Sequence, residues 1–375
     1  VSCVTVFKRP GFEFITPKAS ESQEWKDDLD FTSLEKAVNQ SISYYQRVSQ
    51  GQVFEYGNIS YSPKELEASM RLFLEIMRIP DEAERFKQLR KKFLFLESKN
   101  DKGRALFTGY YEPILEGSLQ PTERFTAPLY GKPDDLVEAD LGLFREEWKG
   151  ERIIGRVDVG RLIPYDSREE IVYRNSLKDR ARPIAYVEND IELFFLQIQG
   201  SGLVKLPDGR LKRVNYAGQN GHPYRPIGRL LLDRIPLEKM SMQALKGYLY
   251  SHPEEVKEIL TYNPSYTFFR EVEEGPLGNI EVPLTPERSI AMDRNLIPRG
   301  SLAFVQTSYP FFSDGRLLGW KPMRRFVLVQ DTGGAIRGHG RVDIFWGNGE
   351  KAELTAGHMK QTGQVFLLVA RKKFL

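Results

Sequence analysis

The sequence predicts a mainly β protein with flanking helices. Three observations carry this. Short runs rich in β-branched and aromatic residues recur from about Phe107 onward. Apolar stripes at helical spacing are confined to the first hundred residues and to a stretch near 227–262. Two turn signals, Pro207-Asp208-Gly209 and Ser313-Asp314-Gly315, each separate a pair of the short runs.

The N-terminal helices have start signals. Thr32-Ser33-Leu34-Glu35 reads as a capping box, followed by Leu34, Val38, Ile42 and Tyr45 on one face. Ser62-Pro63-Lys64-Glu65 is a second box with Pro at the first helical position. Leu66, Met70, Phe73 and Met77 follow as a core stripe, and Pro80 stops it. A third helix is expected near Asp81. Strands are then expected at 171–173, 184–187, 191–198, 203–206 and 211–214. Helical signals return at 227–232, at 241–250 and from Ser251 to just before Asn263-Pro264. The last block reads as strands at 302–307, 325–330, 342–346 and 365–370. This order leaves open whether the two β blocks form one body or two. Residues 1–30, polar and irregular, read as a tether or extended arm.

Composition excludes several classes. The 375 residues carry 54 basic and 51 acidic side chains, a net charge of +3. That balance is no footprint for nucleic acid; it suits a neutral or mildly anionic polymer. No run of about 18 apolar residues exists to span a bilayer. One cysteine, Cys3, forbids an intramolecular disulfide and multi-Cys zinc sites. The four histidines lack metal-ligand spacing, so neither a metal nor a cofactor is expected, and His222 and His339 read as structural. Val1-Ser2-Cys3 fits the end of a bacterial lipoprotein signal, or else a chance terminal Cys.

The informative chemistry lies near the C-terminus. Asp343 sits mid-strand in Arg341-Val342-Asp343-Ile344-Phe345. Alternation sets it on the face opposite Val342 and Ile344, and a strand interior disfavours Asp. It is therefore either on a solvated face or a carboxyl held in a groove. Asp331 precedes Gly333-Gly334, as a turn residue capping its own backbone or as a supporting carboxyl beside Asp343. A lone Asp-Thr-Gly at 331–333 is weak evidence for an aspartic protease, which needs two such aspartates.

At larger scale the sequence resembles the membrane-bound lytic murein transglycosylase A family. The resemblance runs from about Phe107 to the C-terminus. It rests on Phe107-Thr108-Gly109-Tyr110-Tyr111-Glu112-Pro113, on Gln197-Ile198-Gln199-Gly200-Ser201-Gly202, and on Tyr216-Ala217-Gly218-Gln219-Asn220-Gly221-His222-Pro223-Tyr224-Arg225. Asn263-Pro264-Ser265-Tyr266, Met292-Asp293-Arg294 and the segment 331–338 also fit, and Asp293, Asp331 and Asp343 match a three-aspartate C-terminal module. The resemblance implies a double-psi β-barrel domain (1–112 and 236–375) with a second, smaller β-barrel domain inserted at 113–235, and a glycan groove between them. It implies Asp343 as the catalytic residue, with Asp293 and Asp331 supporting. Thr108, Tyr110, Tyr111, Gln199, Ser201, Tyr216, Asn220 and Arg225 are the expected glycan contacts, although Gly-Tyr-Tyr can equally be a packed turn and Gln-Gly-Ser-Gly a bulged loop.

The implied reaction is cleavage of the β-1,4 bond between N-acetylmuramic acid and N-acetylglucosamine in peptidoglycan, with 1,6-anhydro ends. Burial and the like charge of Asp331 are expected to raise the Asp343 pKa. An inverting hydrolase with Asp331 as base, and a non-catalytic glycan-binding envelope protein, are the rival readings. The resemblance further implies a lipid anchor on Cys3 and an outer-membrane, periplasm-facing location in a Gram-negative bacterium. The membrane is touched through that anchor alone, and other cell-wall enzymes are candidate partners.

Overall fold

The computed structural model describes residues 25–375 together with the backbone of a two-residue strand at Glu13–Phe14. Cys3 lies outside the described residues. The chain divides into two compact units, Val1–Tyr111 with Leu277–Leu375, and Glu112–Pro276.

The first unit opens with three helices, α1 (Phe31–Arg47), α2 (Pro63–Met77) and α3 (Glu82–Lys92). The expected stripes are buried: Leu34, Val38, Ile42 and Tyr45 on α1, and Leu66, Met70, Phe73 and Met77 on α2. The cap of α1 differs from expectation. Asp30, not Thr32, is the N-cap: its side chain accepts the Ser33 amide at 2.7 Å, and the helix begins two residues earlier than expected, at Phe31. The box at Ser62–Glu65 is present as read, and Asp81 caps α3. Residues 25–30 are no tether. Trp25 is fully buried, Asp27 pairs with Arg288 at 2.7 Å, and Asp28 pairs with Arg325 at 2.8 Å.

The strands that position the site are, in chain order, β1 (Phe93–Ser98), β2 (Ala105–Glu112), β3 (Ile114–Ser118), β4 (Ala127–Tyr130), β5 (Pro183–Val187), β6 (Ser201–Lys205), β7 (Leu211–Gln219), β8 (Thr267–Glu271), β9 (Ser289–Ala291), β10 (Leu302–Ser313), β11 (Arg316–Asp331), β12 (Arg341–Asn348) and β13 (Lys360–Ala370). In the first unit the order is β1-β13-β10-β11-β9-β12-β2, and β2 also pairs with β13. Six strands therefore close into a barrel, which removes its edges. Most neighbours are antiparallel, but β9 and β11 run parallel. Helix α8 (Glu350–His358) connects β12 to β13.

The second unit carries a six-stranded sheet, β8-β7-β6-β3-β5-β4, whose ends meet at a bridge between Gly131 and Phe269. Two expected strands are helices. Residues 171–173 belong to α4 (Arg168–Tyr173), started by a capping box from Ser167 to Glu170. The run 191–198 lies in α5 (Asp190–Gln199). A short apolar run fits either state; here the caps decide. Asn189 accepts the amides of Ile191 and Glu192, and Gly200 ends the helix at φ +81. The inserted region was expected to end at 235, but it continues to Pro276. The reason is packing. Helices α6 (Met242–Ser251) and α7 (Val256–Thr261) place Leu249, Ile259 and Leu260 in one apolar cluster with Phe194, Phe195 and Leu231. Strand β8 then pairs with β7. Among the described residues no helix is long and apolar enough to cross a membrane.

Candidate active site

The site is built around Ala291. On the antiparallel side, β12 sets Asp343 opposite Ala291. On the parallel side, Ile290 pairs with Val329 but Ala291 pairs with Asp331, so Gln330 is the extra residue of a bulge. Without that bulge, Gln330 would take the place of Asp331. The bulge is fixed by the Gln330 amide. Its Oε1 accepts from Ser289 Oγ at 2.6 Å, and its Nε2 donates to the Ala37 carbonyl at 2.8 Å and to Ser41 Oγ at 3.0 Å. Two carboxyls thus flank one small residue. Two inter-strand spacings put their Cα atoms about 10 Å apart.

Strand β2 supplies the partners. Thr108 Oγ1 donates to Asp343 Oδ1 at 2.6 Å, and Tyr110 Oη donates to Asp331 Oδ2 at 2.9 Å. Residues two apart on a strand share a face, so one strand addresses both carboxyls. Between them, Gly109 faces the other way. A Cβ there would lie 2.6 Å from Trp346 Nε1 and 2.8 Å from Ala356 Cα. Only glycine admits that approach. Tyr110 packs in a small core with Leu284, Ala291, Ile336 and Phe345, its ring 5.3 Å from that of Phe345.

The two carboxyls have different surroundings. Asp331 Oδ1 accepts the amides of Asn279 at 3.0 Å and Thr332 at 2.8 Å, while Oδ2 takes the Tyr110 hydroxyl. Burial nevertheless pushes Asp331 up to about 6, opposed by these hydrogen bonds and helped by the charge of Asp343. Asp343 has the Thr108 bond, and its Oδ2 has no hydrogen-bond partner among the described residues. Burial raises its pKa, while the positive charge of Arg341 and the Thr108 bond pull it down. The expectation was that like charge from Asp331 adds to burial at Asp343. That repulsion acts between the two carboxyls, and burial is the larger cause at each. Asp293, the third aspartate, is buried, and it accepts the Gly338 amide at 2.9 Å and the Asn295 amide at 3.1 Å. It pins the glycine-rich loop that leads into β12.

Of the expected glycan contacts, Thr108 and Tyr110 join the carboxyls. Tyr111 is 2% exposed and is a core residue. The others belong to the second unit. Tyr216 is exposed, as is Arg225, whose guanidinium lies 6.0 Å from the Tyr262 ring. Gln199 ends α5 half-buried, and Ser201 opens β6 buried. Asn220 is fully buried. Its Nδ2 donates to the carbonyls of Asp166 and Pro264 at 2.9 Å each, and its Oδ1 accepts the Tyr266 amide at 2.9 Å. With those groups committed, it is a latch within its unit rather than a sugar contact.

Sequence reading missed Arg341 and Arg168. Arg341 stands two residues before Asp343, hence on its face, and strand alternation could have flagged it. Its Nη1 is buried without a hydrogen-bond partner. Arg168 is a buried cation that donates to the carbonyls of Asn263 and Ser265 and to Gln197 Oε1, and burial lowers it to about 10. Among the described residues no group of His, Cys, Asp and Glu could hold a metal.

Comparison with known proteins places the chain in a family. Residues 106–270 match the MltA specific insert domain, and residues 288–369 match the 3D domain. The chain is 33% identical to membrane-bound lytic murein transglycosylase A of Vibrio cholerae over 71% of its length; that stretch spans 66% of the relative. The crystal structure of MltA from Neisseria gonorrhoeae is 31% identical, with a TM-score of 0.71, 96% of this chain and 93% of that one being covered. Escherichia coli MltA, in its crystal structure with bound chitohexaose, is 26% identical, also with a TM-score of 0.71, covering 96% and 94%. On the two matched domains and these relatives, the chain belongs to the membrane-bound lytic murein transglycosylase A family.

Proposed function

We propose that this chain is a lytic transglycosylase. It cleaves the β-1,4 bond between N-acetylmuramic acid and N-acetylglucosamine in peptidoglycan and leaves 1,6-anhydro ends, with Asp343 as the single acid and base. The observation that carries this reading is the unequal state of the two carboxyls. Each Asp331 oxygen already accepts at least one hydrogen bond. Its lone pairs are committed within the fold rather than presented to a water molecule. Asp343 keeps Oδ2 free and has a raised pKa.

One carboxyl suffices when no water attacks. Protonated Asp343 gives its proton to the glycosidic oxygen as the C1–O bond breaks. The muramic acid 6-hydroxyl then bonds to C1, and its proton returns to Asp343. Thr108 fixes the carboxyl rotamer through Oδ1, leaving Oδ2 to face the bond. Asp331 and Tyr110 act as one braced wall of the site. The free lone pairs of Asp343 are the feature that decides between one carboxyl and two.

Tyr216, Gln199, Ser201 and Arg225 are the proposed glycan contacts of the second unit. The proposed location is the outer membrane, facing the periplasm, with a lipid on Cys3; mass analysis of the native protein tests the lipid directly. The reaction itself is tested by digesting purified sacculi in H₂¹⁸O. Anhydro ends without ¹⁸O support the transglycosylase; ¹⁸O-labelled reducing ends overturn it in favour of a hydrolase.

A further inference from the structure

Trp346 stands three residues beyond Asp343 on β12, so its side chain leaves the opposite face of the strand. There it forms a wall of a cavity of about 380 Å³, between the arm formed by β10 and β11 and helix α8. The volume falls within the roughly 300–1,000 Å³ of small-ligand sites. Tyr309 and Phe312 supply further aromatic walls, the Tyr309 ring 5.7 Å from that of Trp346. Lys321, Lys351, Asp314 and Glu350 line it; Asp314 accepts the Ser313 hydroxyl at 3.2 Å, and Glu287 is paired with Arg325 at 2.6 Å. Two cations and two carboxylates make a polar rim without net charge. Such a rim disfavours a polyanion and a purely apolar ligand alike. A pyranose ring fits both features: its C–H face stacks on an aromatic ring, and its hydroxyls bond to carboxylates and ammonium groups.

We propose that this cavity is a second saccharide site, which holds a neutral N-acetylated amino-sugar segment away from the cleaved bond. The proposal rests on the reading of the chain as a peptidoglycan-cleaving enzyme. Its role is to keep an insoluble glycan near the catalytic carboxyl between cuts.

The test uses the full chain carrying Asp343→Asn, with chitotetraose as the probe and the tryptophan indole N–H resonances as the readout. Trp346→Phe assigns the Trp346 signal. A saturable shift of that signal is expected, abolished by Phe312→Ala with Lys351→Ala while the melting temperature is kept. In the otherwise wild-type enzyme, the same pair should raise KM for sacculi roughly three- to tenfold, the scale of one lost aromatic contact. Its kcat on short soluble glycans should not change. An unshifted Trp346 signal, a shift that survives the pair, or a response only to peptide-bearing fragments overturns the proposal. Failure of the catalytic reading shows differently: wild type would yield no anhydro product, whatever chitotetraose does at Trp346.

Discussion

Thr108 and Asp343 lie 235 positions apart in the chain, yet the Thr108 hydroxyl donates to Asp343 Oδ1 at 2.6 Å. Strand β2 closes the barrel between β12 and β13, and that closure brings the pair together. The hydroxyl orients the carboxyl. Thr108→Val keeps the shape and removes the bond. A hydrogen bond to a charged group is worth about 1.5–3 kcal/mol, so kcat should fall roughly ten- to a hundredfold, with KM little changed. Steady-state kinetics on soluble glycan strands checks this; a fall confined to KM would show Thr108 to be a binding residue instead.

Arg341 sets the working pH. Its charge lowers the Asp343 pKa against the upward push of burial. The first step needs protonated Asp343, so the rate falls as pH rises through that pKa. Arg341→Met removes the opposing charge, and the alkaline limb of kcat/KM should move to higher pH. A limb that stays in place, or moves down, would remove Arg341 from the site's electrostatics.

Asp331 links stability to pH with a definite sign. Its pKa in the folded protein, about 6, lies above the ordinary carboxylate value of about 3.9. The stability it contributes is fully present below the unfolded value and is lost as pH rises through 6. Asp331→Asn cannot ionise. The variant's melting temperature, relative to wild type, should therefore be higher at pH 8 than at pH 4. A difference that is flat with pH would mean that Asp331 is not held protonated by the fold.

Asn220 tests the insert alone. Asn220→Ala leaves the Asp166 carbonyl and the Tyr266 amide without this partner, while the Pro264 carbonyl keeps the Arg168 amide at 3.0 Å. Buried unsatisfied groups cost about 1–3 kcal/mol. Chemical denaturation should show a loss of roughly 2 kcal/mol, with residual folded enzyme cutting at an unchanged kcat. A stable protein with impaired KM would return Asn220 to the glycan contacts.

What the sequence made legible follows from the range of the forces involved. Helix starts at Ser62 and Asp81 and the turns at 207–209 and 313–315 depend on neighbours a few residues away, and they were read correctly. The run 191–198 was misread because apolar side chains alone do not separate a buried strand from a buried helix, and the deciding caps, Asn189 and Gly200, lie just outside it. Asp343 stood out as an acid in a strand. The bulge at Gln330 did not, since it depends on Ala37 and Ser41 of α1, nearly three hundred positions away. Asn220 and Tyr111 are glycan contacts by motif, but a motif shows residue identity and not burial, and the fold buries both.

The central claim is that Asp343 is the one acid and base. Its most direct test compares wild type with Asp343→Asn on purified sacculi, with anhydro-muropeptides measured by mass spectrometry and sacculus binding measured alongside. The account predicts a loss of anhydro product of about 10²–10⁴-fold, the scale of a lost general acid–base, with binding retained. Anhydro product released by Asp343→Asn at the wild-type rate would contradict it.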